Sequence, residues 1–503
     1  MDYMNSDHIK MDRDESKLIT NLFEYEKAEK FNGSIDELES FLAKIWDNRQ
    51  KSVSIYPDDS RDATSNGQQF VTILKQNQIK SKKYIGIIKF GGHTINLLPK
   101  IFFNKNDSES SNPDIQAIQA NVMWWLSYCR KIKFPKSSAG LSSLKSDFFE
   151  VLIYLFSSYT RQVLNNCLYQ SYTTIDEELS YVKGRINMNA YITDNLSKAR
   201  WHRVNCTFDS FEFDNIFNRI IKYVAELLLK NSNNSENKRF LSDILFILDD
   251  VSDVQVVCSD CEKVKLNPLY KDLFVVLDYC RLFLANSITF SYKDRFQVFA
   301  FLLPMESVFE DFLYGFIEKH LNGLPGFSKL TSQKSDLYLA GLYENDRKIK
   351  DNVFNLKHDI YFEYQQEKIV VDAKYKITYT KNPGDNFKHG VSQTDLYQAV
   401  TYAVRRNARK VFLIYPQTIG AKEGNQSEKA IRYVVHDSIA GLDIDIHIAT
   451  IPIIHDQFPN MNYKLTLENN FRQTEIRLFD KLCDIFGVEE KGSERLLMTG
   501  ITK

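Results

Sequence analysis

The sequence lacks several features that would place it in other protein classes. No apolar run approaches the roughly 20 residues of a membrane-spanning helix, and the polar N-terminal stretch lacks the apolar core of a signal peptide. Seven cysteines, an odd number scattered over 503 residues, predict reduced thiols in a cytoplasmic protein. The net charge of −1 means that any DNA-binding surface has to be a local patch. A phosphate-loop motif, Gly-x-x-x-x-Gly-Lys-[Ser/Thr], is also missing, so the chain itself is not expected to hydrolyse nucleotides.

The composition is that of a folded protein. Charged residues make up 26% of the chain and aromatic residues 13%, which excludes a disordered protein. A length of 503 residues predicts about three domains.

The stretch 353–376 predicts a β-hairpin. β-Branched and aromatic residues flank the polar pair Gln365-Gln366, which is typical of two strands joined by a tight turn. With that pair at the centre of the turn, the predicted cross-strand partners are Glu363–Lys368, Phe362–Ile369, Ile360–Val371 and Asp359–Asp372.

The hairpin brings two acids and a lysine together. Lys374 lies two residues after Asp372, so it projects from the same face of its strand. Two carboxylates about 4 Å apart repel by roughly 4 kcal/mol at an effective dielectric constant near 20. Oxygen ligands from two strands suit Mg²⁺, which binds one or two carboxylates together with a phosphate. We therefore expect Asp359 and Asp372 to hold the metal and Lys374 to assist an attacking water. The alternative is a surface hairpin whose acids are only solvated.

These residues also resemble a known signature. Asp359, a step of thirteen residues to Asp372, and then Ala373-Lys374 resemble the PD-(D/E)xK nuclease motif. The string 372–376 is similar to the form found in the McrC family, the nuclease subunit of McrBC-type and LlaJI-like restriction systems. His358 stands where a proline often precedes the first aspartate. Proline is not a ligand there, so the expected chemistry is unchanged.

The segments around the hairpin supply supporting candidates. Pro304 is expected to start a helix that ends near His320 and carries Glu306 and Glu310 on one face. The resemblance implies that one of these glutamates approaches the metal. Alternatively, either one only caps the helix or pairs with a lysine.

A second helix is expected after the hairpin, from about Thr394, whose hydroxyl group would cap it. Gln398 and Tyr402 share a face of this helix, and the resemblance implies that they support the site. The alternative is an ordinary amphipathic helix with a buried tyrosine.

Basic residues suggest where DNA could bind. The order of a Lys-Gly-Arg turn, a basic stretch and an Asn-x-x-x-Arg helix resembles McrC chains. Such residues contact phosphates in DNA-binding proteins, although ordinary solvated charge is the alternative for each of them. The candidate DNA-binding residues are Lys183, Arg185, Arg200, Arg203, Arg405 and Arg406.

The expected fold class is mixed α/β, with a C-terminal PD-(D/E)xK restriction-endonuclease-like domain after a small β domain and a helical region. A capping box at Ser34 and Glu37 predicts one helix before the β domain. The resemblance implies that the small β domain engages an McrB-like AAA+ GTPase oligomer and stimulates its GTP hydrolysis. The predicted division is 1–55 (leader and helix), 56–110 (small β domain), 111–290 (helical region) and 291–503 (nuclease domain).

Together these patterns predict the endonuclease subunit of an McrBC-like, modification-dependent restriction system that defends against phage. It would cut double-stranded DNA with Mg²⁺, for which Mn²⁺ is expected to substitute, and it would not bind membranes. One alternative is a non-catalytic adaptor that keeps the nuclease fold and activates an AAA+ motor. Another is a PD-(D/E)xK nuclease of DNA repair or transposition.

Overall fold

A computed structural model of the chain describes residues 19–51, 70–90, 93–103, 114–130, 148–292, 296–332, 337–377, 388–419, 431–437, 442–462 and 465–489. These residues fall into two compact units. Unit 1 draws on 1–48, 56–148 and 288–503, and unit 2 on 49–55 and 149–287.

The N-terminal part of unit 1 consists mainly of short strands. Its elements are β1 (Ile19–Phe23), β2 (Glu29–Lys30), α1 (Ile35–Lys51), β3 (Val71–Leu74), β4 (Gln78–Ser81), β5 (Tyr84–Phe90), β6 (His93–Leu98) and α2 (Ile115–Leu126). The expected helix after Ser34 is confirmed as α1. Its apolar stripe, including Leu38 and Trp46, packs on the core of the first sheet.

Unit 2 contains helices and a small sheet. Its elements are α3 (Phe148–Asn166), β7 (Ser171–Leu179), β8 (Arg185–Ile186), α4 (Met188–Ala190), β9 (Val204–Glu212), α5 (Ile216–Asn231), α6 (Ser235–Ile247), α7 (Asp260–Lys263) and α8 (Lys271–Asn286). The sheet has the order β7-β9-β8 with antiparallel pairs.

The remaining residues return to unit 1. They form β10 (Ser287–Tyr292), β11 (Phe296–Pro304), α9 (Met305–His320), β12 (Phe327–Ser332), β13 (Leu337–Glu344), β14 (Arg347–Leu356), β15 (Ile360–Tyr364), β16 (Glu367–Ala373), α10 (Gln393–Arg406), β17 (Lys410–Pro416), β18 (Ile431–Asp437), β19 (Leu442–Ile451), α11 (Leu467–Asn470) and α12 (Arg472–Phe486).

The first sheet of unit 1 joins distant parts of the chain. Its order is β1-β6-β5-β11-β10, with β11 antiparallel to β5. Gly86 makes this pairing possible, because a Cβ atom there would lie 2.0 Å from the carbonyl oxygen of Phe301. Its core includes Leu22 from β1 and Leu302 from β11. Strands from three of the predicted domains therefore build one sheet, which differs from the four-part division. The predicted helical region also contains the sheet of unit 2.

The second large sheet confirms the mixed α/β class. Its order is β12-β15-β16-β17-β19-β18, in which β16, β17 and β19 are parallel and the outer strands are antiparallel. α10 packs on the sheet through Ala399, Tyr402 and Ala403, which share a core with Val370 and Leu413. The uninterrupted apolar run of β17 is typical of a strand buried on both faces.

A separate two-stranded ribbon, β13 and β14, lies in the chain between β12 and β15, two paired strands of the second sheet. Val353 to Leu356 belong to this ribbon, although the sequence pattern had joined them to the hairpin strand. The break follows at Lys357 and His358, where the chain leaves β14 and enters β15.

No helix of the described residues is long and apolar enough to cross a membrane.

Candidate functional site

The predicted hairpin is β15 and β16, and its register is confirmed. The observed pairs are Ile360–Val371, Tyr361–Val370, Phe362–Ile369, Glu363–Lys368 and Tyr364–Glu367. Gln365 and Gln366 form the turn with φ values of 48° and 68°. Positive φ at both central residues is the geometry of the type I′ turn, whose twist matches that of paired strands.

The two predicted acids lie one step beyond the last of these pairs. Asp359 precedes β15, and its Oδ2 accepts a hydrogen bond of 2.8 Å from the backbone N–H of Ala373, next to Asp372. Asp372 lies in β16 between β15 and the parallel strand β17, and only 1% of its side chain is exposed. The hairpin therefore brings the two carboxyl groups together at one end of the strands.

Lys374 completes this cluster. Its Nζ lies 2.8 Å from Oδ2 of Asp372, and 15% of its side chain is exposed. Its backbone N–H donates to the carbonyl oxygen of Ile414 in β17 at 2.8 Å. The hydrogen bonding between β16 and β17 therefore extends to Lys374 and fixes the position of its backbone.

Burial and charge determine the protonation of the cluster. Burial raises the pKa of Asp359 well above its usual range, the charges of Asp372 and Glu310 raise it further, and Lys374 opposes them. Burial alone would lower the pKa of Lys374, but the carboxylates of Asp372 and Asp359 raise it. The lysine is therefore held as a cation against the acids.

The helix α10 supports Lys374. Its Nζ donates to Oε1 of Gln398 at 2.9 Å, and Nε2 of Gln398 donates to the hydroxyl oxygen of Tyr402 at 2.7 Å. The Tyr402 hydroxyl then donates to the carbonyl oxygen of Lys357 at 2.6 Å, two residues before Asp359. The structure thus brings both predicted supporting residues to the site, in one chain of hydrogen bonds.

The start of α10 differs from the prediction. Ser392, not Thr394, caps the helix, because its hydroxyl oxygen accepts from the N–H of Asp395 at 3.1 Å. Oδ1 of Asp395 also accepts a hydrogen bond of 2.8 Å from Nζ of Lys376. The sequence analysis missed this pair, although Lys376 follows Lys374 at the two-residue spacing of one strand face and an acid in the first helical turn is a common pattern.

The two candidate glutamates of α9 point to different places. Glu310 is partly buried and lines a pocket that also includes Asp359. Glu306 is exposed, and its charge acts instead on Glu24 and Lys100. The remaining residues that line the pocket are Arg130, Ser307, Asp311, Tyr314 and Ser332.

The acids fit a hard divalent cation. Oδ1 of Asp372 is buried and has no hydrogen-bond partner among the described residues, and the carboxyl group of Asp359 is adjacent. Among the described residues no group of three or more His, Cys, Asp or Glu side chains has metal-binding geometry. Two carboxylates nevertheless match Mg²⁺, which keeps several waters and takes further oxygen ligands from a phosphate.

The basic candidates of α10 have protein partners. Arg405 is exposed and donates to the carbonyl oxygen of Tyr338 in the ribbon. Arg406 is partly buried, with one guanidinium nitrogen 3.3 Å from Nδ1 of His358.

The basic candidates of unit 2 are all exposed. Lys183 lies 3.8 Å from the ring centroid of Phe208, and Arg185 is in β8. Arg200 donates to the carbonyl oxygen of Asp194 at 2.8 Å, and Arg203 lies 3.4 Å from a carboxylate oxygen of Glu178.

The fold and the cluster define a mixed α/β protein with two carboxylates and a lysine at the ends of adjacent strands. The family described as "McrBC 5-methylcytosine restriction system component" matches residues 79–416, and the chain belongs to this family. The resemblance to components of McrBC-type restriction systems is therefore confirmed for the family.

The fold is shared with a solved structure, the refined half-complex from the tetradecameric assembly of Thermococcus gammatolerans McrB AAA+ hexamers with bound McrC. The similarity has a TM-score of 0.59 at 16% identity and covers 93% of this chain and 100% of the other. A second, the Thermococcus gammatolerans McrBC complex determined by cryo-electron microscopy, has a TM-score of 0.43 at 17% identity over 60% and 88% of the two chains. No curated protein shows significant similarity.

Proposed function

We propose that the chain is the Mg²⁺-dependent endonuclease subunit of an McrBC-like restriction system and that it cleaves double-stranded DNA. The observation that carries this proposal is the ion pair of Lys374 and Asp372 beside the carboxyl group of Asp359. Membership in a family of restriction-system components favours restriction over DNA repair or transposition.

Each residue of the cluster has a distinct role in this proposal. Asp359 and Asp372 hold the cation, and Glu310 adds negative charge from the wall of the adjoining pocket. Lys374 orients the attacking water and stabilises charge on the phosphate, while Gln398 keeps its ammonium group in place. The bound cation, Mg²⁺ or Mn²⁺, would supply Lewis-acid polarisation of the phosphate.

The partner in this proposal is an McrB-like AAA+ GTPase oligomer. The matched Thermococcus gammatolerans assembly contains McrB AAA+ hexamers with bound McrC. The present chain would cleave DNA when assembled with such a partner and would stimulate its GTP hydrolysis. The exposed residues Lys183, Arg185, Arg200 and Arg203 are proposed as contacts to DNA phosphates in that assembly.

Substitution of Asp372 by Asn tests the proposal. Because the metal loses a charged ligand, we expect cleavage by the assembly with its GTPase partner to fall by at least about 100-fold. Asp443→Asn removes an exposed carboxylate from the same sheet and should cleave normally. Partner binding and GTPase stimulation should persist in both variants. Undiminished cleavage by Asp372→Asn contradicts the proposal. A wild-type chain that stimulates GTP hydrolysis but never cuts DNA would instead be an adaptor.

A further inference from the structure

The ribbon of β13 and β14 has no buried face. Every residue from Leu339 to Asn352 is exposed, and the tip turns at Asn345-Asp346 with positive φ at both residues. At about 3.4 Å per residue, strands of this length extend about 30 Å. An isolated two-stranded hairpin is only marginally stable in water, so a ribbon of this kind gains most from a partner that covers it.

The side chains of the ribbon combine charged groups of both signs and large apolar groups. Arg347, Lys348 and Lys350 lie at the start of β14, the acids Glu344 and Asp346 lie at the tip, and Lys348 pairs with the third acid, Asp351. The exposed apolar side chains are Leu339, Leu342, Tyr343, Ile349 and Phe354. Basic groups suit a phosphate backbone, and apolar groups suit contact with sugars and base edges in a groove.

The root of the ribbon is tied to the candidate site. The backbone of Tyr338 accepts a hydrogen bond from Arg405 of α10. At the other strand, the carbonyl oxygen of Lys357 accepts from Tyr402 of the same helix. Asp359 follows only three residues after β14 ends at Leu356. One helix therefore holds the ribbon and, through Gln398, also holds Lys374.

We infer that the ribbon is a DNA-binding arm that lies in the major groove of the duplex delivered to the site. This inference rests on the proposed function, because the root position favours DNA over a protein partner only if Asp359 meets a phosphodiester. The major groove, about 12 Å wide, admits a two-stranded β-ribbon. Arg347 and Lys350 contact phosphates at its edge, and the ribbon positions the duplex.

The double variant Arg347→Ala with Lys350→Ala tests the charge contacts. Duplex affinity of the full chain is measured at several salt concentrations without divalent cation, so that no cleavage occurs. Loss of two phosphate contacts should weaken binding about 10-fold and reduce the slope of log K against log salt by about 2. The control, Lys238→Ala with Lys265→Ala, removes two exposed lysines of unit 2 and should leave the slope unchanged. An unchanged slope in the ribbon variant overturns the inference.

A shortened ribbon provides the second test. Tyr338 and Asn355 are paired in the register, so an Asn-Gly turn can join them and replace 339–354 while the contact to Arg405 stays. We expect this chain to remain folded, to bind the GTPase partner normally and to bind duplex at least 10-fold more weakly. If it loses the partner while its DNA affinity is unchanged, the ribbon is a protein-docking surface and the inference is wrong.

The two proposals fail in different ways. If the wild-type chain cuts DNA while both ribbon variants bind duplex normally, the proposed function is supported and the DNA-binding arm is contradicted. If duplex binding depends on the ribbon but the wild-type chain never cuts DNA, the nuclease function is contradicted and the DNA-binding arm is supported. A wild-type chain that binds no duplex contradicts the arm directly.

Discussion

Three consecutive residues after β16 contact different neighbours. Lys374 lies between Asp372 and Gln398, the ring of Tyr375 lies 4.4 Å from Nζ of Lys100, and Lys376 pairs with Asp395. The chain turns at Tyr375, where the N–H of Lys376 donates to the carbonyl oxygen of Lys374 at 2.8 Å, and both lysines contact α10 while Tyr375 does not. A shift of one residue in the strand would move the lysine out of the cluster.

Gln398 provides a test at this scale. Replacement by Leu keeps the size of the side chain but removes both the acceptor for Lys374 and the donor to Tyr402. We expect cleavage by the assembly to fall about 10-fold, because a mispositioned group weakens the stabilisation of the reacting phosphate. DNA affinity without metal should not change. Gln393→Leu, on an exposed position of the same helix, is the matched control, and an equal loss in both variants would contradict a specific role for Gln398.

At the scale of elements, local patterns predicted the hairpin and its neighbouring helices well. Polar residues at the turn between β-branched runs determine the register of β15 and β16, and the helix α9 ends at His320 as expected. The pairing of β11 with β5 could not be predicted, because about two hundred residues separate the strands and no local signal links them. The neighbours of Glu306 could also not be predicted from the sequence, because helical spacing shows which residues share a face but not what each side chain contacts.

The contact between α9 and the chain after α2 allows a packing test. A Cβ atom at Gly315 would lie 1.9 Å from the carbonyl oxygen of Tyr128. Gly315→Ala should therefore lower the free energy of unfolding by about 1–3 kcal/mol, because backbone atoms have to move apart. Gly487 has φ of +71° and no neighbour within 4 Å, so Gly487→Ala should cost only about 1 kcal/mol of conformational strain. Denaturant titration of both variants measures the difference, and a smaller cost at Gly315 would contradict the packing argument.

At the scale of the whole of unit 1, a buried polar cluster joins its two large sheets. Glu24, directly after β1, accepts a hydrogen bond of 3.2 Å from the backbone N–H of Lys100. The ammonium group of Lys100 lies 4.4 Å from the centroid of Tyr375, which follows Lys374. Burial raises the pKa of Glu24 to about 7, although Lys100 opposes the shift.

This cluster predicts a pH dependence of stability. The pKa of Glu24 in the folded state lies above its ordinary value of 4.5, so protonated Glu24 stabilises the fold below that pH. The contribution is lost as the pH rises through about 7 and amounts to at most about 3 kcal/mol. We expect Glu24→Gln to flatten the decline in unfolding free energy between pH 4.5 and about pH 7, as measured by denaturant titration. Glu29→Gln, an exposed control from the same segment, should decline as the wild type does; equal slopes in all three proteins would refute the assignment.

The pairing of β11 with β5 has a consequence for biosynthesis. A ribosome adds about 5–20 residues per second, so about two hundred residues of elongation separate β6 from β11 by roughly 10–40 seconds. During that interval one side of β5 has no native neighbour, and its free backbone groups are open to mispairing with other nascent chains. The nascent protein would therefore benefit from a chaperone that shields this strand until translation has passed Pro304.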